Sequence, residues 1–260
     1  MKDYSVNSIN TISSKVSNTI SEFNSLENIF EKKAEKAYAK KSDKKLKSID
    51  TETQVKSNVF LRILPAYGWK MLTLMLVTNC IAFNATRLLT TGWYHYSMET
   101  SFDKMIPYIK EFVIVYIPLA YIQWIIGFFI IARSGEKTCH KLIGAEIIGK
   151  LICLICFLAI PTTMIRADIT GTDFLNRWVR FIYETDPADN LFPSIHCLES
   201  WIIFRSTFYL KSLPKWAKPL NLIVTLLVFA STLFLRQHVI VDVFAGVIAI
   251  EIGLLIMKKE

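Results

Sequence analysis

The chain has 260 residues, 52% of them hydrophobic, with a formal net charge of +8 and a mean hydropathy of +0.36. That apolarity excludes an ordinary soluble domain and suits a multi-spanning membrane protein. The positive charge does not call for nucleic acid, because much of it lies in lysine-rich segments flanking hydrophobic stretches, the usual cytoplasmic signature of membrane proteins. The expected partner is the bilayer, with no nucleic acid.

Residues 1–60 read as a separate polar, lysine-rich region. Val6, Ile9, Ile12, Val16, Ile20, Phe23, Leu26 and Phe30 recur at three- and four-residue steps, which is helical periodicity. The Ser, Thr and Asn between them are mediocre helix formers, so such a helix needs a partner surface. From Glu31 to Lys47 there are eight lysines against three acids. That run either rests on anionic headgroups or is a solvated, partly disordered tail. So polar a start does not read as a cleavable signal peptide.

Residues 61–260 carry six hydrophobic segments, near 69–90, 112–132, 142–162, 195–210, 219–236 and 238–257. The second is uncharged for 21 residues, Phe112 to Ala132, and is long enough for a bilayer core. The first is interrupted by Asn79, Asn84 and Arg87. The expected fold is all-α: six transmembrane helices behind a polar N-terminal extension. Five cysteines give no disulfide framework, and Cys153 and Cys156, inside an apolar run, read as small core residues. Basic clusters in the tail, at Arg133–Lys141, at Lys211–Lys218 and at Lys258-Lys259 alternate along the chain, which predicts both termini to be cytoplasmic. Arg166, His196 and His238 then share the outer face.

His238 and Asp242 are four apart, so on a helix their side chains share one face. A carboxylate bonded to one imidazole nitrogen fixes the tautomer and leaves the other nitrogen as a nucleophile. Taken alone the pair also fits an interfacial histidine beside a helix-end carboxylate, but an ionisable group inside a membrane helix points to function. His196 opens the fourth segment after Pro193 and Ser194, and Ser194 is placed to cap the helix. Helix N-termini bind anions, so a phosphate is expected between the fourth and sixth segments. His196 opposite the nucleophile would protonate a leaving oxygen and then activate water. Arg166 and Arg236 offer guanidinium forks for phosphoryl oxygens, against snorkelling at the interface. Arg177 and Arg180 lie in the same loop, for a headgroup or for loop capping. Glu146 with Lys150, Arg205 and Glu251 read as structural charges toward the inner half.

These residues resemble the type-2 phosphatidic acid phosphatase superfamily, the lipid phosphate phosphatases and their phosphotransferase relatives, whose pattern is K-x6-R-P, P-S-x-H and S-R-x5-H-x3-D. Pro193, Ser194 and His196 match the second part, Ser231, His238 and Asp242 the third, and Arg166 the first. The family lysine falls at Ala159, its proline at Ala167 and its third-part arginine at Thr232; Arg236, two residues before His238, is the expected replacement for one lost cation. The resemblance implies a six-helix core, a phosphohistidine at His238 paired with Asp242, acid/base work by His196, phosphate binding by Arg166, Ser194 and Arg236, and no metal or other cofactor. The expected function is hydrolysis of a membrane lipid phosphate or pyrophosphate on the extracytoplasmic face of the plasma membrane. The Ser-Thr…Gln-His-x3-Asp form is similar to the sphingolipid synthase-like branch, so transfer of a phospho-headgroup to an alcohol is the alternative. A non-catalytic scaffold or transporter with a decayed site is the third.

Overall fold

The computed structural model describes residues 63–258; the helical periodicity and lysine run expected over residues 1–60 lie outside the described residues, as does Lys259. Helix α1 (Ala66–Cys80) passes through a π-helical turn, Ile81–Ala85, into α2 (Thr86–Thr90). After strand β1 (Tyr96–Ser97) comes the short α3 (Ser101–Met105). A 3-10 turn, Lys110–Phe112, and a π turn, Val115–Leu119, lead into α4 (Ala120–Arg133). Then follow α5 (Glu136–Ala159), strand β2 (Thr162–Thr163), α6 (Phe174–Thr185), α7 (Ile195–Ser206), α8 (Ala217–Phe234) and α9 (Ile240–Ile256). The two strands pair in parallel, Tyr96 with Thr162 and Ser97 with Thr163.

Each expected hydrophobic segment coincides with one of these helical runs. Among the described residues, four runs are long and apolar enough to cross a bilayer: Ala66–Thr90, Lys110–Arg133, Glu136–Ala159 and Ala217–Phe234. They mark the chain as an integral membrane protein. Helices α7 and α9 are shorter, with 12 and 17 residues. Pro118 explains why the second run is not a plain α-helix: it has no N–H to donate, and the ladder opens there into the π turn. The amphipathic α6 adds a helix to the expected six. Its Asp173 accepts from the Leu175 and Asn176 N–H groups, which starts the helix. Arg180 donates to the Ile169 and Gly171 carbonyls and so fastens its own loop.

The core joins α5, α7 and α9 through Ile143, Cys153, Leu198, Ile202, Ala249 and Ile250. Two glycines allow the close approach. A Cβ on Gly246 would stand 2.5 Å from the Ser194 carbonyl oxygen, and one on Gly253 would collide with the Ala145 backbone. Small residues at helix crossings in a bundle work this way. Where α9 meets the start of α7, the Ser194 N–H donates to the Asp242 carbonyl at 3.0 Å. The two helix starts that carry the histidines are therefore bonded directly to each other. Toward the other ends of these helices, Glu251 accepts from Trp201 at 2.7 Å and pairs with Arg205 at 2.8 Å.

Candidate active site

The end of α8 sets the place of His238. Arg236 has φ +52°, a left-handed conformation usually left to glycine. Around it the Arg236 N–H donates to the Leu233 carbonyl at 3.0 Å and the Gln237 N–H to the Thr232 carbonyl at 2.9 Å. This is a Schellman stop with arginine at the glycine position. The His238 N–H also reaches the Thr232 carbonyl, at 3.1 Å. His238 thus precedes α9 rather than lying on it. Its partner Asp242 sits in the first turn of that helix, 1% exposed. Asp242 Oδ2 takes both the His238 Nδ1 contact, at 3.2 Å, and the Val239 N–H, at 3.1 Å. The expected pairing is made, but across a helix cap instead of along one helical face. With Nδ1 on the carboxylate, Nε2 is the nitrogen left for a ligand, and His238 lines a cavity.

His196 stands in the first turn of α7, where Ser194, fully buried, accepts from the Cys197 N–H at 3.4 Å. The imidazole stacks on Tyr116 with ring centres 4.3 Å apart and meets the edge of Trp124 at 5.1 Å. The π turn at Val115–Leu119 is what presents Tyr116 to it. Its Nε2 is buried without a protein partner. The two histidine rings are 6.3 Å apart and inclined by 54°. The loop that delivers His196 is pinned at several points. Thr162 Oγ1 accepts from the Leu191 and Phe192 N–H groups, both at 2.9 Å, and Thr163 donates to the Ala188 carbonyl at 2.6 Å. Arg87 pairs with Asp189 at 3.1 Å, and Asn190 donates to Thr90.

The two arginines are placed differently from each other. Arg166 donates through Nη1 to the Arg236 carbonyl at 2.8 Å and through Nη2 to the Asp186 carbonyl at 3.0 Å. Its guanidinium lies over the Tyr183 ring at 4.8 Å, and its Nε is buried without a partner. Burial pulls its pKa below the ordinary arginine value. Each Nη keeps a second N–H for a ligand. Arg236 turns away, donating to the Asp103 carbonyl at 2.8 Å and facing Glu99 at 3.6 Å. Ser194 accepts the α7 cap bond from Cys197 and keeps its own O–H to donate. The start of α9 is already occupied by carboxylates, since Asp103 Oδ1 accepts from the Ile240 N–H at 2.7 Å. Of the two helix starts expected to receive a phosphate, the one at α9 has its Val239 and Ile240 N–H groups on Asp242 and Asp103.

Sequence reasoning missed three carboxylates. Asp103 is 1% exposed and joined to the site through Ile240 and Arg236. Burial alone would raise its pKa, but hydrogen bonds from Thr100 and the Ile240 and Thr100 N–H groups outweigh that and hold it below the usual carboxylate value. Asp186 lines the cavity; burial pushes its pKa up, against the opposing pull of Arg166, His238 and Arg87. Glu199 pairs with Lys150 at 2.6 Å, so the expected Glu146–Lys150 pair is a three-membered cluster. A Thr-x-x-Asp capping signature at Thr100–Asp103 was the one local signal that could have flagged any of them.

A cavity of about 1070 Å³, lined mainly by apolar and aromatic side chains, runs from the histidines along α4, α6 and α7. Lys150 lines it too, but cannot stand in for the family lysine missing at Ala159: nine residues along α5 is about 13 Å, and two carboxylates already balance its charge. The PAP2 superfamily matches residues 138–259, a stretch that contains Arg166, His196, His238 and Asp242. No curated protein and no solved structure matches the chain.

Proposed function

We propose that this chain, a member of the PAP2 superfamily through residues 138–259, is a metal-independent phosphatase of lipid phosphates or pyrophosphates with a histidine nucleophile. The observation that carries this reading is the pairing of His238 Nδ1 with Asp242, which leaves Nε2 for phosphorus, with His196 and its unpartnered Nε2 in the lining of the same cavity.

In the first step His238 Nε2 forms a bond to phosphorus as the lipid oxygen leaves. His196, protonated, gives that oxygen its proton. Asp242 holds the Nδ1 proton and balances the charge that appears on the ring. Arg166 adds positive potential beside the transferring group and, by holding the Arg236 carbonyl, steadies the turn before His238. In the second step neutral His196 takes a proton from water, the hydroxide oxygen bonds to phosphorus, the P–N bond breaks and phosphate leaves. Six spans, with α7 and α9 as the short fourth and sixth, would put both termini in the cytoplasm and this site on the outer face of the plasma membrane. The second reading replaces water by a lipid or polyol alcohol. It is favoured by the size and apolar lining of the cavity, which has room beyond the reacting lipid oxygen.

The test is phosphate release by detergent-purified protein, in chelator, from phosphatidate, isoprenyl pyrophosphate and phosphatidylglycerol phosphate. We expect release that vanishes in His238→Ala and is insensitive to chelation. No release from any of them, with transfer from a phospholipid to an added alcohol, would select the second reading. Activity persisting in His238→Ala would remove the proposed nucleophile.

A further inference from the structure

The residue next to His238 carries a polar group that the reaction above leaves unused. Gln237 is 1% exposed, and its Nε2 is buried with no hydrogen-bond partner among the described residues. It lines the same cavity as His196 and His238. A buried amide N–H that has given up water and gained no acceptor in return destabilises the fold. In the wall of a ligand cavity such a group is explained when the ligand brings the acceptor.

The backbone that carries Gln237 is fixed from both sides. The peptide joining Arg236 to Gln237 donates its N–H to the Thr232 carbonyl at 2.9 Å, and its own carbonyl accepts from Arg166 Nη1 at 2.8 Å. Arg166, Gln237 and His238 therefore meet at one turn. Other donors near that turn are engaged with the protein. Thr232, at the position of the family arginine, is fully buried and gives its hydroxyl to the Phe229 carbonyl at 2.7 Å. Arg236 is bonded to the Asp103 carbonyl. Arg166 has committed part of its fork to two carbonyls. A transferring phosphoryl group, in contrast, spreads its charge over three equatorial oxygens.

We propose that Gln237 is a catalytic residue: its side-chain amide donates an N–H to an equatorial oxygen of the phosphoryl group while His238 Nε2 attacks phosphorus. This rests on the phosphoryl-transfer reading. A neutral amide suits the place, because it stabilises the oxygens without adding a cation beside an imidazole that itself becomes positive on bonding to phosphorus. The turn is fixed before substrate arrives, so little reorganisation is needed, the condition under which a single donor acts strongly on a transition state. The donor that Thr232 does not supply comes from the residue before the nucleophile.

The experiment measures kcat, KM and thermal unfolding of the full chain in detergent, for wild type and Gln237→Met. The substrate is whichever of phosphatidate, isoprenyl pyrophosphate and phosphatidylglycerol phosphate is turned over. Methionine keeps an unbranched side chain of similar length and removes the N–H. Turnover should fall about 10²-fold with KM little altered. The melting temperature should stay level or rise, because a buried unpaired polar group is removed. Turnover within about twofold of wild type overturns the proposal, and so does a rise in KM alone. A loss of turnover matched by a loss of stability also overturns it, as the mark of a residue that only packs the turn. If Gln237→Met does not fold, Gln237→Leu is read by the same criteria. Orthovanadate, which imitates the five-coordinate transition state, gives a reading independent of hydrolysis. Its binding, read as a rise in melting temperature, should be lost in His238→Ala and weakened about tenfold or more in Gln237→Met. If no lipid is hydrolysed, that weakening keeps the donor while the hydrolase reading falls. Equal binding by wild type and Gln237→Met, with His238 still required, removes the donor and leaves the histidine reading standing. Neither turnover nor binding by wild type removes both.

Discussion

His238 and His196 face one cavity but are built into it by different means. His238 lies on an irregular turn and is held by polar contacts: its N–H on the Thr232 carbonyl, its Nδ1 on Asp242, and Arg236, two residues before it, on Arg166 and Asp103. His196 lies inside a helix and is held by aromatic rings, Tyr116 flat against it and Trp124 edge-on. A nucleophile that acquires charge on bonding to phosphorus needs a fixed tautomer and a counter-charge, and the first arrangement supplies both. A residue that must give a proton and then take one back needs an oriented ring that no carboxylate locks in one state. Stacking orients without fixing the proton.

The largest effects should break that division directly. His238→Ala is expected to bring phosphate release to background, whereas His196→Ala should cost roughly 10²–10⁴-fold in turnover and still trap phosphate on the protein. Acid-labile labelling by a phosphate donor, present in His196→Ala and missing in His238→Ala, is the measurement. Labelling in neither would sink the assignment of separate roles. Asp242→Asn should cost on the order of 10⁴-fold in kcat, by analogy with the loss of a tautomer-fixing carboxylate elsewhere, with KM little altered. A change confined to KM would mean that Asp242 serves the substrate and not the imidazole.

How much of this was legible in the sequence follows the same division. His196, His238 and Asp242 carry their chemistry in short spacings, and the hydrophobic runs that place them show in composition. The helical nature of every expected segment was legible for the same reason. What escaped depends on distant pairing. Asp103 meets Ile240 across 137 residues and Arg236 across 133, and no periodicity reports such a contact. Tyr116 was invisible because a π turn aims it, and Pro118 within an uncharged run looked like part of a plain helix. Arg236 had the right residue type for phosphate, but the helix stop turns its side chain onto the Asp103 carbonyl.

A smaller effect sharpens the aromatic half of the comparison. Tyr116 Oη is buried without a partner, so its contribution to His196 lies in the ring alone. Tyr116→Phe is expected to retain turnover and stability, while Tyr116→Ala loses a stacking contact worth about 0.5–1.5 kcal/mol and lets His196 turn. Turnover should then fall about tenfold. An equal fall in Tyr116→Phe would assign the work to the hydroxyl instead.

The smallest effects concern the two carboxylates beside the His238 turn, whose pKa values move in opposite directions. Asp103 is held below its unfolded value, near 3.9, by Thr100 and the backbone N–H groups. Its native form therefore binds fewer protons than its unfolded form through that window. The stability it contributes is present above pH 3.9 and disappears as pH falls through the native value. Asp186 is raised by burial, so its native form binds more protons, and its penalty grows as pH rises from about 3.9 through its native value. Thermal unfolding of wild type against Asp103→Asn and Asp186→Asn, from pH 7 down to pH 3.5, separates them. The advantage of wild type over Asp103→Asn should shrink on acidification, because the carboxylate that the Ile240 N–H and Thr100 stabilise is being protonated. Relative to Asp186→Asn, wild type should gain on acidification, because the buried charge is being removed. Parallel trends in the two variants would mean that one of these carboxylates does not experience the surroundings described. An inverted pair would show that burial, and not hydrogen bonding, governs Asp103, and that the α3 turn does not grip the start of α9 through its charge.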